Sequence, residues 1–274
     1  MLRVLVPIKL FSDSNHLIEY AIEFCLELKA EIILFNHLDI NSVNTYGRGQ
    51  AFSHTNELLK SRENYLKREV DRIIRENDVK AKFYVSLFPL ENILSEGELR
   101  GKIDLILMRA GNSILRKDLW FKLKAQRYLK KNIPILFIPE QAHFRKFNNV
   151  SFITDQNAPL RATNSSVCLS KVINDQKTVF SLIHIENGEG KFGKVFRLRT
   201  DTLLPIEQKI YESHFLTSNN FKKTLLNFFK VRNYDLIILS MAKKQVWRNL
   251  FNRRRLSPSF FGKNLPLFLY YSNP

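Results

Sequence analysis

Short apolar runs of four to eight residues recur along the chain, and between them lie longer stretches in which apolar residues return every third or fourth position. The short runs have strand length and the longer stretches have helix spacing. Residues 103–139 show the pattern most clearly. IDLILM (103–108) reads as a strand buried on both faces. Leu119, Leu123, Tyr128 and Leu129 then form an apolar stripe among Lys and Arg, and Pro134 and Pro139 bracket a second buried strand. A strand, a crossover helix and a parallel strand make a βαβ unit. Ligands in open parallel sheets sit beyond the carboxyl ends of the strands, so residues 109–118 form a candidate site.

Upstream, the same alternation predicts strands at 3–8, 31–38 and 81–87 and helices at 15–29, 55–77 and 89–99. Ser12, Asp13 and Ser14 are available to cap the first helix. Five strands alternating with four helices imply a doubly wound parallel sheet. Downstream, strands are expected at 150–154, 178–185, 209–216, 236–239 and 266–270, with helices at 160–174 and 221–231. No counterpart of the long second helix is evident, and the helix before the last strand looks short.

The halves repeat one another in four places, always in the same order. DLI at 104–106 recurs at 235–237, and NIPI at 132–135 as NLPL at 264–267. VLVPIK at 4–9 is matched by VSFITD at 150–155, and NHLD at 36–39 by IHIE at 183–186, which pairs His37 with His184. Such a repeat marks an internal duplication. The expected organisation is a first domain over 1–140, a linker over 141–149 and a more degenerate second domain over 150–274.

With the repeat and strand order in place, the chain resembles the universal stress protein family in its tandem form. VLVPIKLFS and ITD resemble the family's opening strand, DLILM its fourth strand, and PILFIP its fifth. The resemblance implies two tandem, Rossmann-like, five-stranded parallel sheets. In many members ATP binds at the carboxyl ends of strands one and four, on a loop of the form Gly-x2-Gly-x9-Gly-Ser/Thr. Glycines there let backbone N–H groups reach the phosphates. This chain departs from that loop. Arg109 takes the first glycine position of the first half, Gly111 lies near the second, and Lys9 replaces the strand-one aspartate. In the second half Ser240 takes the first glycine position, while Asp155 keeps the acid. Lys9, Arg109, Gly111, Asp155 and Ser240 are thus the candidate nucleotide-site residues. Loss of ATP binding in the usual mode is the expectation, and an adenine nucleotide in a remodelled pocket is the alternative.

At 274 residues with 45% hydrophobic content, the chain is long enough for two cores. Its net charge of +17 raises nucleic acid as a partner. Arg62 and its neighbours on the long helix read as a solvated face partly balanced by Glu63, Glu69, Asp71 and Glu76. The denser stretch holds Lys243, Lys244, Arg248, Arg253, Arg254 and Arg255, with Trp247 and Phe251 interleaved. Phosphate contact and base stacking there define a nucleic-acid alternative. Cys25 and Cys168 read as buried free thiols. Asp104 and Asp235 begin strands and read as structural. No nucleophile–base set or carboxylate pair stands out, so a non-catalytic protein is expected, with weak ATP hydrolysis as the alternative. The absence of a long apolar run or signal peptide points to the cytoplasm without membrane insertion. An apolar edge strand invites pairing. The family resemblance implies that the fifth strands pair antiparallel with one another, so the strands with ends at Ile135 and Ile138 and at Leu267 and Tyr270 are expected to pair within the chain, as a pseudo-dimer. An unidentified protein partner completes the expectation.

Overall fold

The computed structural model describes residues 1–9, 15–39, 51–110, 128, 131–155, 164–173, 178–186, 210–217, 225, 227–229, 231–241 and 264–271. The chain divides into two compact units, Met1–Met108 and Arg109–Pro274.

The first unit holds β1 (Arg3–Pro7), β2 (Glu31–His37), β3 (Ala81–Ser86) and all but the last two residues of β4 (Leu105–Ala110), in the order β3-β2-β1-β4, all parallel. Leu5, Ile32, Leu34, Leu105 and Ile106 are fully buried. That is the outcome of apolar runs covered on both faces. Helix α1 (Asn15–Leu28) buries Leu17, Ile18, Ala21, Ile22 and Cys25 and turns Glu19, Glu23 and Glu27 to solvent. It ends on Lys29, whose left-handed φ of 49° lets Ala30 N–H reach the Cys25 carbonyl at 2.8 Å. Helix α2 (Ala51–Asn77) presents Leu66, Val70 and Ile73 inward and ends in the same way on Asp78 (φ 53°).

The third helix is shorter than its sequence predicts. Instead of running over 89–99, α3 covers only Leu90–Ser95. Ser95 Oγ donates to the Glu91 carbonyl at 2.6 Å, and Gly97 packs so tightly that a Cβ there would lie 2.8 Å from Ile93 Cα. The chain continues as turns to Gly101, whose φ of 66° suits glycine.

In the second unit, β5 (Ile135–Pro139), β6 (Asn149–Asp155), β7 (Val179–Glu186), β8 (Ile210–Thr217), β9 (Leu236–Met241) and β10 (Leu267–Tyr271) run in the order β5-β10-β9-β6-β7-β8. Strand β5 pairs antiparallel with β10, with Phe137 opposite Leu267 and Leu136 opposite Phe268. Every other pairing in the unit is parallel. This pairing groups β5 with the second unit, although the sequence repeat ends near residue 140. Helix α4 spans Asn164–Val172 and buries Cys168 and Leu169. The predicted helix at 160–174 begins in residues outside those described, as do the segment 187–209, where a second long helix is not expected, and most of the helix predicted around Leu119 to Leu129.

Strand register aligns the units residue by residue. Val4 faces Leu105 and Leu5 faces Ile106; Val150 faces Leu236 and Ser151 faces Ile237. On that register the match of His37 with His184 is one residue out. Thr154, the counterpart of Ile8, faces His184, and Asn36 bonds to Ile8. His184 therefore stands at the position of Asn36. Short apolar runs carry no internal mark of register, and the shared histidine aligns the two tetrapeptides one step away from the register the strands adopt. The core also differs. Leu5 faces Ile33 in the first unit, whereas Ser151 faces Ser181 in the second. Both serines are buried, and Ser151 Oγ has no hydrogen-bond partner among the described residues. Both cysteines are buried and free, and burial pushes the Cys25 thiol pKa up. Among the described residues no helix is long and apolar enough to cross a membrane.

Candidate functional site

The amino ends of the strands are tied by carboxylates. Asp104, just before β4, accepts the Arg3 N–H at 2.8 Å and the Arg3 Nε–H at 3.2 Å, and its own N–H donates to the Arg3 carbonyl at 3.0 Å. Asp235, just before β9, accepts the N–H groups of Asn148 and Asn149 at 3.0 and 2.9 Å and donates its N–H to the Asn149 carbonyl at 2.8 Å. A short acid here collects N–H donors that no strand partner takes, which is a structural role.

The carboxyl ends hold the candidate residues. Lys9 lies exposed just past β1. Arg109 sits in β4, and its Nη2 donates to Glu140 Oε1 at 2.8 Å. Each side chain is about one-third exposed. The position that a phosphate loop fills with glycine is thus filled by a long side chain held in an ion pair. In the second unit β6 and β9 stay paired through Ile153 and Leu239. Ser240 and Asp155 follow one and two residues further on, at the carboxyl ends of these adjacent strands. Gly111 lies outside the described residues, as do Lys243, Lys244, Arg248, Arg253, Arg254, Arg255, Trp247 and Phe251.

One cluster escaped the sequence pattern. Asn36, buried in β2, donates from Nδ2 to the Ile8 carbonyl at 2.9 Å. Arg62 of α2 donates from Nη1 to Asn36 Oδ1 at 2.6 Å and to the His37 carbonyl at 3.2 Å. Arg62 is therefore half-buried rather than part of a solvated face. Its burial lowers the guanidinium pKa from the ordinary value. The available signal was the polar Asn36 directly after the apolar run from Ile32 to Phe35 in a buried strand, which demands a hydrogen-bond partner.

No family model and no curated protein matches the sequence. Solved structures do match. A universal stress protein from Archaeoglobus fulgidus DSM 4304 is 15% identical and superposes with a TM-score of 0.63, over 98% of this chain and 96% of that one. A functionally unknown protein from Pseudomonas aeruginosa PAO1 is 10% identical, with a TM-score of 0.52 over 98% and 92%. A putative universal stress protein from Pseudomonas aeruginosa UCBPP-PA14 is 9% identical, with a TM-score of 0.50 over the same shares. At these identities the likeness establishes the fold: an α/β architecture of the universal stress type.

Proposed function

We propose that the protein is a stress-response or regulatory protein of the universal stress type. It is a tandem of two such domains, over 1–140 and 150–274, and works in the cytoplasm through a protein partner rather than through catalysis. In this reading ATP is not taken up in the usual mode. The observation that carries it is the Arg109–Glu140 ion pair. Phosphates bound by backbone N–H groups need a position without a side chain. Here that position bears a guanidinium whose charge is already answered by a carboxylate.

The test is calorimetric titration of nucleotide-free protein with ATP at low and moderate salt. No binding is the expected result. Micromolar binding insensitive to salt would overturn the reading in favour of a remodelled adenine-nucleotide pocket. Weak binding abolished by salt would overturn the partner reading in favour of nucleic acid on the basic run from Lys243 to Arg255, because phosphate contact by Lys and Arg is salt-dependent.

A further inference from the structure

Helix α2 carries two arginines with opposite surroundings. Arg72 is ringed by carboxylates: Glu69 at 2.6 Å, Glu19 at 2.9 Å and Glu76 at 3.6 Å. Hydrogen bonds to Glu69 and Glu19 push its pKa up despite partial burial. Arg62 has no acid. Both its bonds run from Nη1 to neutral oxygens, and its Nε and Nη2 make no hydrogen bond or ion pair among the described residues. For a half-buried cation with no counter-charge among the described residues, two bonds to neutral oxygens replace only part of the lost hydration. Arg62 also keeps two donor nitrogens of a planar fork, a geometry that matches an oxyanion.

The location adds a second, independent argument. The Asn36 side chain bridges the Ile8 carbonyl at the exit of β1 and the Arg62 guanidinium above the exit of β2. These are the carboxyl ends of adjacent parallel strands, the edge of an α/β sheet at which ligands bind. Asn36 is buried and held at both ends, so it fixes the guanidinium from below. Lys9, the residue after Ile8, is exposed at the same strand exit and adds positive charge there.

We infer that Arg62, positioned by Asn36, is the binding point for a small oxyanion, a phosphate or a carboxylate, at the carboxyl ends of β1 and β2. The inference rests on the reading of these strand ends as a ligand-binding edge, but not on any phosphate loop. The anion would accept from the Nε and Nη2 hydrogens while Nη1 stays on Asn36 and the His37 carbonyl. Binding supplies the missing counter-charge without a conformational step.

Inorganic phosphate, acetate and AMP are titrated into the full chain at constant ionic strength, with parent, Arg62→Met, Arg62→Lys and Arg72→Met compared. Saturable phosphate binding is expected in the parent. It should weaken about tenfold or more in Arg62→Met, as loss of charge-assisted hydrogen bonds would dictate. Arg62→Lys should fall between the two, and Arg72→Met should match the parent. Tighter binding of AMP than of phosphate assigns the site to phosphorylated small molecules; tighter binding of acetate assigns it to carboxylates. Because Arg62→Met could disturb folding, the Arg62 Nε–H resonance of the parent is followed as well, and it should shift along the phosphate titration. Equal phosphate affinity in parent and Arg62→Met, or an unmoved Arg62 resonance, overturns the inference. ATP binding lost in Arg62→Met would instead overturn the reading of a protein without ATP while keeping this anion point.

Discussion

At the amino end of β4, Asp104 gathers the Arg3 N–H; at the amino end of β9, Asp235 gathers those of Asn148 and Asn149. At the carboxyl ends nothing corresponds. Lys9 stands where the second unit has Asp155, Arg109 where it has Ser240, and Asn36 where it has His184. The amino-end joint has one economical chemical solution, because unpaired backbone N–H groups require an acceptor of short reach. The carboxyl-end edge has no such requirement. Its residues answer to whatever meets them there, and in the two units they answer differently.

The sharpest way to break this contrast is Asn36→Leu. The substitution leaves the Ile8 carbonyl and the Arg62 guanidinium without their shared partner, and should cost about 2–4 kcal/mol in urea denaturation. A loss below about 0.5 kcal/mol would mean that the cluster is not a fixed part of the fold. Next come Asp104→Ala and Asp235→Ala, each expected to destabilise by about 1–2 kcal/mol through loss of charge-assisted bonds to backbone N–H groups. The contrast needs these two losses to be similar; a twofold disparity would show that the matching geometry conceals unequal roles. The smallest effect is expected for Arg109→Ala. Its partner is as exposed as itself, so the loss should be roughly 0.2–1 kcal/mol and should shrink further in salt. That variant also restores a nearly bare position in β4. Gain of ATP binding by it would identify the Arg109 side chain as the obstruction.

The strands were legible because each is a short apolar run buried on both faces, a pattern with few alternatives. The repeats located equivalent strands in the two halves, and the family resemblance supplied the antiparallel pair of β5 with β10. What was not legible depended on details that composition does not carry. The early end of α3 is set by the Ser95 side chain competing for the Glu91 carbonyl and by the close approach of Gly97 to Ile93. The alignment of His184 depends on register, which a one-residue slip leaves unchanged in hydrophobicity only where both faces are apolar. Arg62 was hidden for another reason. In sequence it is one basic residue in a helix rich in Lys, Arg and Glu; Glu69 and Glu76 stand one turn from Arg72, whereas Leu58, Leu59, Tyr65 and Leu66 stand one turn from Arg62, and only the packing of α2 against the sheet brings Arg62 to Asn36.

The antiparallel contact between β5 and β10 also constrains how the protein must be made. Its partners, such as Phe137 and Leu267, are separated by roughly 130 residues, a closure whose entropic cost is modest but whose search is slow. During synthesis β5 is complete long before β10 exists, and for that interval an apolar strand waits with an open hydrogen-bonding edge. Pro134 just before it and Pro139 at its end lack backbone N–H donors, which shortens the stretch that a stray chain can template on. What remains to template on, while the proper occupant of that edge is still untranslated, is the short stretch between the two prolines.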